Sequence, residues 1–311
     1  MLSVILPAYN EEGNIDVAYE KIRSVLAPEQ IEFELVFVDD GSKDRTFEEI
    51  RMLAEREKED RIEGLSFSRN FGKEAAIFSG LAHATGDVCV VMDCDMQHPP
   101  EKLIEMYRLW EQGYEIIEGV KRYRGRESMI YKGFAKLFYS LISKSTGIEM
   151  YRSSDFKMLD RKVVDEYVSL KERNIFFRAL SAWLGYKRIT VEFDVQERVS
   201  GTTKWSIKSL VKYAVGSITS FTTAPMQLIT ILGFLFLAFA VVLGIQSLVK
   251  WFAGTALEGF TTVILLLLIT GSLIMMSLGI IGYYLARIYE EIKGRPRSII
   301  NEVVGGARSG K

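Results

Sequence analysis

Apolar residues along the N-terminal part of the chain arrive in short blocks, and the blocks alternate with stretches of helical periodicity. Leu2–Leu6, Phe33–Val38, Ile62–Phe67 and Val88–Met92 are runs of β-branched and apolar residues of strand length. Between them, about Ile15–Leu26, Asp44–Glu59 and Gly72–Ala84 repeat apolar positions every three or four residues. Ser42 or Asp44 can cap the second of these helices, and Pro100 suits the first turn of another that ends near Gly113. Strands buried on both faces and separated by helices predict an α/β fold with a mostly parallel, Rossmann-like open sheet. Ligands of such sheets bind beyond the carboxyl ends of the strands. Those ends read Pro7-Ala8-Tyr9-Asn10-Glu11, Asp39-Asp40-Gly41-Ser42, Ser68-Arg69-Asn70 and Asp93-Cys94-Asp95, so polar chemistry gathers where a site is expected.

The pattern changes after about Gln196. Charged residues recur every few positions up to there, whereas Leu228–Ala286 contains only Lys250 and Glu258. Leu228–Val249 and Phe260–Ala286 each exceed the roughly 20 residues that cross a bilayer core of about 30 Å, and two transmembrane helices are expected. Trp251 and Phe252 in the short connector suit an interface belt. Arg287 ends the second apolar run, and Lys293, Arg295, Arg297, Arg308 and Lys311 make the remainder, 288–311, a basic tail, which the positive-inside rule places in the cytoplasm. Two spans then return the N-terminal domain to the same side. The expected order is a domain over 1–205, an amphipathic segment over 206–224, the spans within 225–287, and the tail. Small residues in the spans (Gly233, Gly244, Gly271, Gly279, Gly282) allow close helix approach, within the pair or in a homo-oligomer.

Composition narrows the function classes. Of 311 residues 48% are hydrophobic, and the net charge is −1, so no basic field points to nucleic acid. Cys89 and Cys94 are too few and too close for a disulfide framework and read as reduced thiols of a cytosolic domain. Met1 runs directly into a strand pattern, so no secretory leader is expected. Neither G-x-G-x-x-G nor G-x-x-x-x-G-K-[ST] occurs, which weakens the dinucleotide and P-loop readings, and His83 and His98 are too few for a typical zinc site.

Asp93 and Asp95 frame a D-x-D at a strand end. Hard carboxylate oxygens at that spacing can hold Mg²⁺ or Mn²⁺, which bridges a diphosphate and offsets charge on a departing nucleotide. Turn capping is the plainer explanation of a lone D-x-D. Here it follows the buried run Val88–Met92 and precedes Met96-Gln97-His98-Pro99-Pro100, which favours the metal reading. Asp39 and Asp40 can simply satisfy the Gly41-Ser42 turn. Two adjacent acids exceed what a turn needs, which favours hydrogen bonding to a nucleotide's base and ribose.

Taken in order, Pro7–Glu11, Val38–Ser42, Ser68-Arg69-Asn70-Phe71-Gly72-Lys73-Glu74 and Asp93–Pro100 resemble inverting glycosyltransferases of the GT-A fold. More narrowly they resemble the dolichol-phosphate-mannose synthase and bactoprenol glucosyltransferase branch, across nearly the whole chain. The resemblance implies a donor site at Pro7, Tyr9, Glu11, Asp39, Asp40, Lys73 and Asp93, with metal at Asp95, Asp93 and Gln97. It further implies a catalytic set of Asp95, of Asp155 near the sugar, and of Arg198 and Lys204 from an R-x-x-G-x-[ST]-K element. Trp205 departs from that element, where Tyr is expected. The implied reaction moves a sugar from a nucleotide diphosphate, UDP-glucose first, onto polyprenyl (undecaprenyl) phosphate. Mannose, N-acetylglucosamine and aminoarabinose donors remain open. The implied place is the inner (plasma) membrane, with the catalytic domain cytoplasmic.

A lipid acceptor has support from the residues themselves. Ile130, Phe134, Leu137, Phe138, Leu141 and Ile142 make an apolar stripe within about 128–146, with Lys132, Lys136 and Lys144 on another face. Ile207, Leu210, Val211, Ala214, Val215, Ile218 and Phe221 make a second before Pro225. Such stripes usually pack in a core, but basic residues beside them and an adjacent span favour interfacial helices. Lys121, Arg122, Arg124 and Arg126 form a basic run that reads equally as a solvated face or as a seat for a lipid phosphate. A processive polysaccharide synthase would need more spans and a Q-x-x-R-W motif, which is absent. A non-catalytic lipid-binding scaffold would not need all four acids at Asp39, Asp40, Asp93 and Asp95.

Overall fold

The computed structural model describes residues 1–122, 154–172, 176–194, 224–253 and 260–306. Its centre is strand β1, Leu2–Ala8, in which all seven residues are buried. β2 (Phe33–Asp39) and β4 (Val88–Val91) flank it in parallel, and β3 (Arg61–Phe67) pairs in parallel with β2. The intervening helices α1 (Ile15–Leu26), α2 (Thr46–Arg56) and α3 (Lys73–His83) supply the crossovers. Each buries one stripe: α1 turns Ile15, Ala18, Tyr19, Ile22 and Leu26 inward, as its apolar spacing requires. α3 approaches the sheet so closely that a Cβ at Gly80 would lie 2.5 Å from Ile5 Cγ2. The four expected strands and the first three helices are all present. α2 begins two residues later than its pattern suggests, with Asp44 Oδ1 accepting the Thr46 amide at 3.1 Å.

Beyond α4 (Lys102–Glu111) the sheet becomes mixed. β5 (Ile116–Lys121) pairs with β6 (Lys157–Asp160), which runs antiparallel to both β5 and β4. Helices α5 (Arg161–Ser169) and α6 (Phe177–Trp183) follow, and β7 (Arg188–Phe193) closes that edge in parallel with β5. The eight strands lie in the order β7-β5-β6-β4-β1-β2-β3-β8. Continuous apolar runs do not mark β5 to β7: β6 has four residues bounded by Lys157 and Asp160, and β7 alternates Arg188, Thr190 and Glu192 with apolar positions, as a half-buried strand does.

The last strand alters the picture of the C-terminus. Residues 288–311 read from sequence as a basic tail, but Ile300–Gly305 folds as β8, antiparallel to β3. The chain divides into two compact units, Met1–Ile207 with Arg295–Lys311, and Lys208–Gly294. Within the second, helices α7 (Ala224–Phe252) and α8 (Phe260–Ile292) cover the residues expected as spans. Ile269–Ile292 of α8 is long and apolar enough to cross a membrane, and Ile229–Leu243 of α7 is a shorter apolar stretch. Phe234, Leu235, Val242, Leu267, Met275 and Leu285 are each more than half exposed. The two amphipathic stretches, with Arg124 and Arg126, lie outside the described residues, as do Arg198, Lys204 and Trp205.

Candidate active site

The carboxyl ends of β1, β2, β3 and β4 converge because those strands are neighbours and parallel. The first loop is tied to the second: Asn10 N donates to Ser42 Oγ at 2.9 Å, and Lys43 N to Asn10 Oδ1 at 2.9 Å. Glu11 N donates to Thr46 Oγ1 at 2.9 Å, and the Glu11 carboxylate accepts Asn14 Nδ2 at 2.6 Å. Tyr9 stands out at 42% exposure, while Pro7 is buried at the end of β1 and its carbonyl accepts the Cys94 thiol at 3.6 Å. An exposed aromatic at the rim of such a site is a stacking surface for a planar ligand.

Asp39 and Asp40 are both buried, and both are engaged by the fold. Asp39 accepts the Ser42 amide and the Ser66 hydroxyl, each at 3.0 Å. Asp40 accepts Phe71 N at 2.7 Å and Gly72 N at 2.9 Å, which folds the loop after β3 over it. Burial raises the Asp40 carboxyl, and these two amides only partly offset that. Gly41 is the hinge: its φ is +68°, and a Cβ there would lie 2.4 Å from the Arg69 carbonyl carbon. Both acids therefore shape the loops, Asp39 holding the Gly41-Ser42 turn and Asp40 the loop after β3.

The loop over Asp40 delivers Lys73, the first residue of α3, into a cluster of charge. Lys73 Nζ lies 2.6 Å from Asp93 Oδ1 and 2.9 Å from Asp155 Oδ2. Arg178, on α6, also grips Asp155, Nε to Oδ1 at 2.6 Å and Nη2 to Oδ2 at 2.9 Å. Burial opposes charge on Asp155, yet the two cations outweigh it and hold the carboxyl well below its ordinary range. Asp93 behaves likewise: burial works against ionisation, Lys73 prevails, and the carboxyl is lowered. Partial loss of water opposes charge on Lys73, whose side chain is still 41% exposed, but Asp155 and then Asp93 outweigh it and the ammonium stays charged. Next to it Glu74 is pushed up to about 7, by burial and then by the Asp155 charge.

A buried second layer supports this cluster. Lys157 is fully buried, 3.3 Å from Glu118 Oε1, and donates to the Arg178 carbonyl at 3.1 Å and Ser181 Oγ at 3.0 Å. It thereby pins α6 to β5 and β6, and α6 carries Arg178. Such a pair repays its desolvation only when its remaining bonds are satisfied, as those of Lys157 are here. His98 stacks on Phe156 with centroids 4.9 Å apart, and its Nδ1 accepts the Asp93 amide at 3.3 Å. Burial lowers the His98 pKa, which fits the neutral ring that this bond requires.

Asp95 and Gln97 lie beside Asp93 on a turn in which Met96 has φ +55° and Asp95 Oδ1 accepts Gln97 N at 3.1 Å. Asp93, Asp95 and Gln97 are half-buried while Cys94, Met96 and His98 are buried, so the turn presents the three oxygen-bearing side chains together. The Cys94 thiol is pushed well up by burial and then by the charges of Glu11, Asp93 and Asp95. Among the described residues no three His, Cys, Asp or Glu side chains form a ready-made cation cage. Mg²⁺ commonly takes only one or two carboxylates and completes its shell with water and substrate phosphates. Two hard carboxylates and an amide oxygen fit such an ion.

The structure thus brings Lys73, Asp93 and Asp155 together, and sets Pro7, Tyr9, Glu11, Asp39, Asp40, Asp95 and Gln97 on the same strand ends. Arg198 and Lys204 lie outside the described residues. Arg178, Glu118 and Lys157 have no role that the sequence patterns reveal. The one signal for Arg178 is a lone guanidinium in an otherwise apolar stretch, Phe176-Phe177-Arg178-Ala179-Leu180, where a charge needs a buried partner.

A mixed sheet with paired acids, a D-x-D turn and a lysine-bridged carboxylate at its strand ends defines a sugar-transferring enzyme of the GT-A fold. The sequence pattern of Glycosyl transferase family 2 matches residues 3–168, and the chain belongs to that family; it is a glycosyltransferase. It is 38% identical to the uncharacterized glycosyltransferase YkcC of Bacillus subtilis, over 97% of this chain and 94% of that one. It is 33% identical to a prophage bactoprenol glucosyl transferase homolog of Escherichia coli, over 97% and 99% of the two chains. It is 32% identical to the bactoprenol glucosyl transferase of Shigella phage SfII, over 97% of each.

Proposed function

We propose that the enzyme transfers a hexose, glucose from UDP-glucose in the first instance, with inversion onto a polyprenyl phosphate such as undecaprenyl phosphate. The observation that carries this reading is the likeness to bactoprenol glucosyl transferases over 97% of the chain, the C-terminal helices included. An acceptor with a long apolar tail also suits a protein whose helices expose Phe234, Leu267 and Met275.

In the reaction an acceptor phosphate oxygen attacks the anomeric carbon, and the bond to the nucleoside diphosphate breaks with its electron pair leaving on the diphosphate. A phosphate monoester has its second pKa near 6, so the nucleophile is already ionised at neutral pH and needs no strong base. Asp155, held ionised between Lys73 and Arg178, is a poor proton acceptor. Its role is that of a fixed anion that orients the sugar and faces a ring gaining positive character. Tyr9 offers its exposed ring to the base, with Pro7, Glu11, Asp39 and Asp40 shaping the nucleotide end. A bound Mg²⁺ or Mn²⁺ would be held by Asp95, with Asp93 and Gln97, and would supply charge compensation for the leaving diphosphate. Lys73 neutralises Asp93, so the metal's charge is matched chiefly by Asp95. Arg198 and Lys204 are assigned to the reacting phosphates.

The same reading places the enzyme in the plasma membrane with two spans and a cytoplasmic catalytic unit. β8 supports the even count. It lies beyond α8 in sequence yet pairs with β3, so the chain between them crosses a bilayer an even number of times.

The test is to incubate the purified protein with undecaprenyl phosphate and radiolabelled UDP-glucose, then UDP-N-acetylglucosamine and GDP-mannose, and follow label into the lipid phase. Formation of glucosyl-phospholipid supports the reading; no labelled lipid from any donor would overturn it.

A further inference from the structure

The segment that follows the long helices does more than close the sheet edge. Ile299 O accepts the Ser68 amide at 2.9 Å, at the start of the loop that wraps Asp40 and ends in Lys73. One residue earlier, Ser298 Oγ meets Ser79 Oγ of α3 at 2.8 Å. Arg297 lies over the Phe78 ring, 3.9 Å from its centroid, and its Nη2 donates to the carbonyls of Leu170 and Glu172, the latter at 2.6 Å. Leu170 caps α5 and Glu172 follows it just beyond the helix. One guanidinium therefore grips α3 through a ring face and the C-terminal end of α5 through two carbonyl oxygens, a reach that a planar fork allows and an ammonium does not.

Of the two clamped helices, α3 carries Lys73, which holds Asp155, and α5 packs on α6, which carries Arg178. Phe78 lies against Tyr167 of α5, centroids 6.2 Å apart, and Tyr167 meets Phe177 of α6 edge-on at 5.5 Å. Phe78 is one helical turn from Glu74, whose carboxylate accepts the Phe177 amide at 2.9 Å. At the far end of this aromatic stack are Lys73 and Arg178, one from α3 and one from α6, both on Asp155. Their separation follows from how α3, α5 and α6 pack, and Arg297 fixes that packing from outside.

We propose that Arg297 is a positioning residue: it holds α3 and α5 together so that Lys73 and Arg178 both close on Asp155. The inference rests on reading the Asp155 cluster as the active site, but not on which donor or acceptor is used.

The experiment compares Arg297→Ala, Arg297→Lys and Arg51→Ala in the full-length protein. Arg51→Ala breaks the ion pair to Glu302 at 2.6 Å and so loosens β8 without touching the clamp. Hydrogen–deuterium exchange is measured without substrate over residues 68–79 and 176–183. kcat and donor KM are measured with the donor that the unaltered enzyme turns over. Arg297→Ala should speed exchange in both segments and lower kcat about 100-fold with donor KM nearly unchanged, since small misplacements of reacting groups cost that much. Arg297→Lys should restore part of kcat, because an ammonium can still donate to the carbonyls. Arg51→Ala should leave both readouts near those of the unaltered enzyme. Unchanged exchange and kcat in Arg297→Ala, or equal losses in Arg51→Ala, would overturn the proposal. Should Arg297→Ala not fold, Arg297→Lys decides it: kcat as in the unaltered enzyme refutes the clamp. The exchange arm contains no donor or acceptor, so an error in the proposed substrates would leave its outcome intact.

Discussion

Arg178 meets Asp155 as a two-pronged fork, Nε to Oδ1 and Nη2 to Oδ2, while Lys73 touches only Oδ2. The fork fixes the plane of the carboxylate as well as its charge. Lys in place of Arg178 keeps the charge and loses the plane. Arg178→Lys is therefore expected to lower kcat about 10- to 100-fold, and Arg178→Ala further, with donor KM little changed. Steady-state kinetics at saturating acceptor check this, and a pure KM effect would assign Arg178 to binding instead.

Glu74 gives a pH signature of stability rather than of rate. Its folded pKa is raised to about 7 from an ordinary 4.5, first by burial and then by Asp155. A carboxyl raised in this way favours the folded state below its unfolded pKa and loses that contribution as pH climbs through the folded one. Stability should thus decline between about pH 4.5 and 7. Glu74→Gln can still accept the Phe177 amide and never becomes charged. It should leave the melting temperature at pH 4.5 nearly unchanged and stabilise the protein at pH 8, by on the order of 1–3 kcal/mol. Equal shifts at both pH values would contradict the assignment.

Much of this site is legible in the chain. Asp93, Asp95, Asp39 and Asp40 stand where buried runs give way to polar turns, and that rule needs only sequence. What a sequence hides is contact between distant segments. Arg178, 23 residues beyond Asp155, reaches it only because α6 packs beside β6, and no local pattern encodes that packing. β8 is hidden for another reason: Ile300-Asn301-Glu302-Val303-Val304 is short, follows a long apolar helix, and becomes a strand only because β3 offers an unpaired edge. The adjacent acids show a limit of residue type. Asp39 and Asp40 satisfy turn amides and a hydroxyl, so composition alone could not separate loop-building from ligand binding.

Metal removal tests the D-x-D turn. Lys73 occupies Asp93, so the two acids should not be equivalent. Asp95→Asn keeps size and removes the charge that matches the cation; it should cut turnover by about 100-fold or more and weaken Mn²⁺ binding. Asp93→Asn should weaken Mn²⁺ binding less, while releasing Lys73 to Asp155 alone. Mn²⁺ titration followed by electron paramagnetic resonance reads affinity without turnover. Activity that survives EDTA, with Asp95→Asn unimpaired, would remove the metal from the mechanism.

The pairing of β8 with β3 constrains how the chain can lie in a membrane. Leu65 of β3 faces Val303, Glu63 faces Gly305, and Arg51 on α2 binds Glu302, so the strand after α8 belongs to the sheet that precedes α7. A single crossing would leave β8 on the opposite side from its partner strand, with its backbone groups unpaired there. Only an even number of crossings keeps the sheet whole, which for α7 and α8 means zero or two. The apolar stretch Ile269–Ile292 argues against zero, since its side chains are exposed along a length that spans a bilayer core. Two crossings put the connector between α7 and α8 alone on the far side. A cysteine introduced within 255–258 should then react with an impermeant maleimide from outside intact cells, and one placed after Lys311 should react only once the membrane is opened. The native Cys89 and Cys94 are buried and give little background. Labelling of both positions from the same side would sink the two-span arrangement.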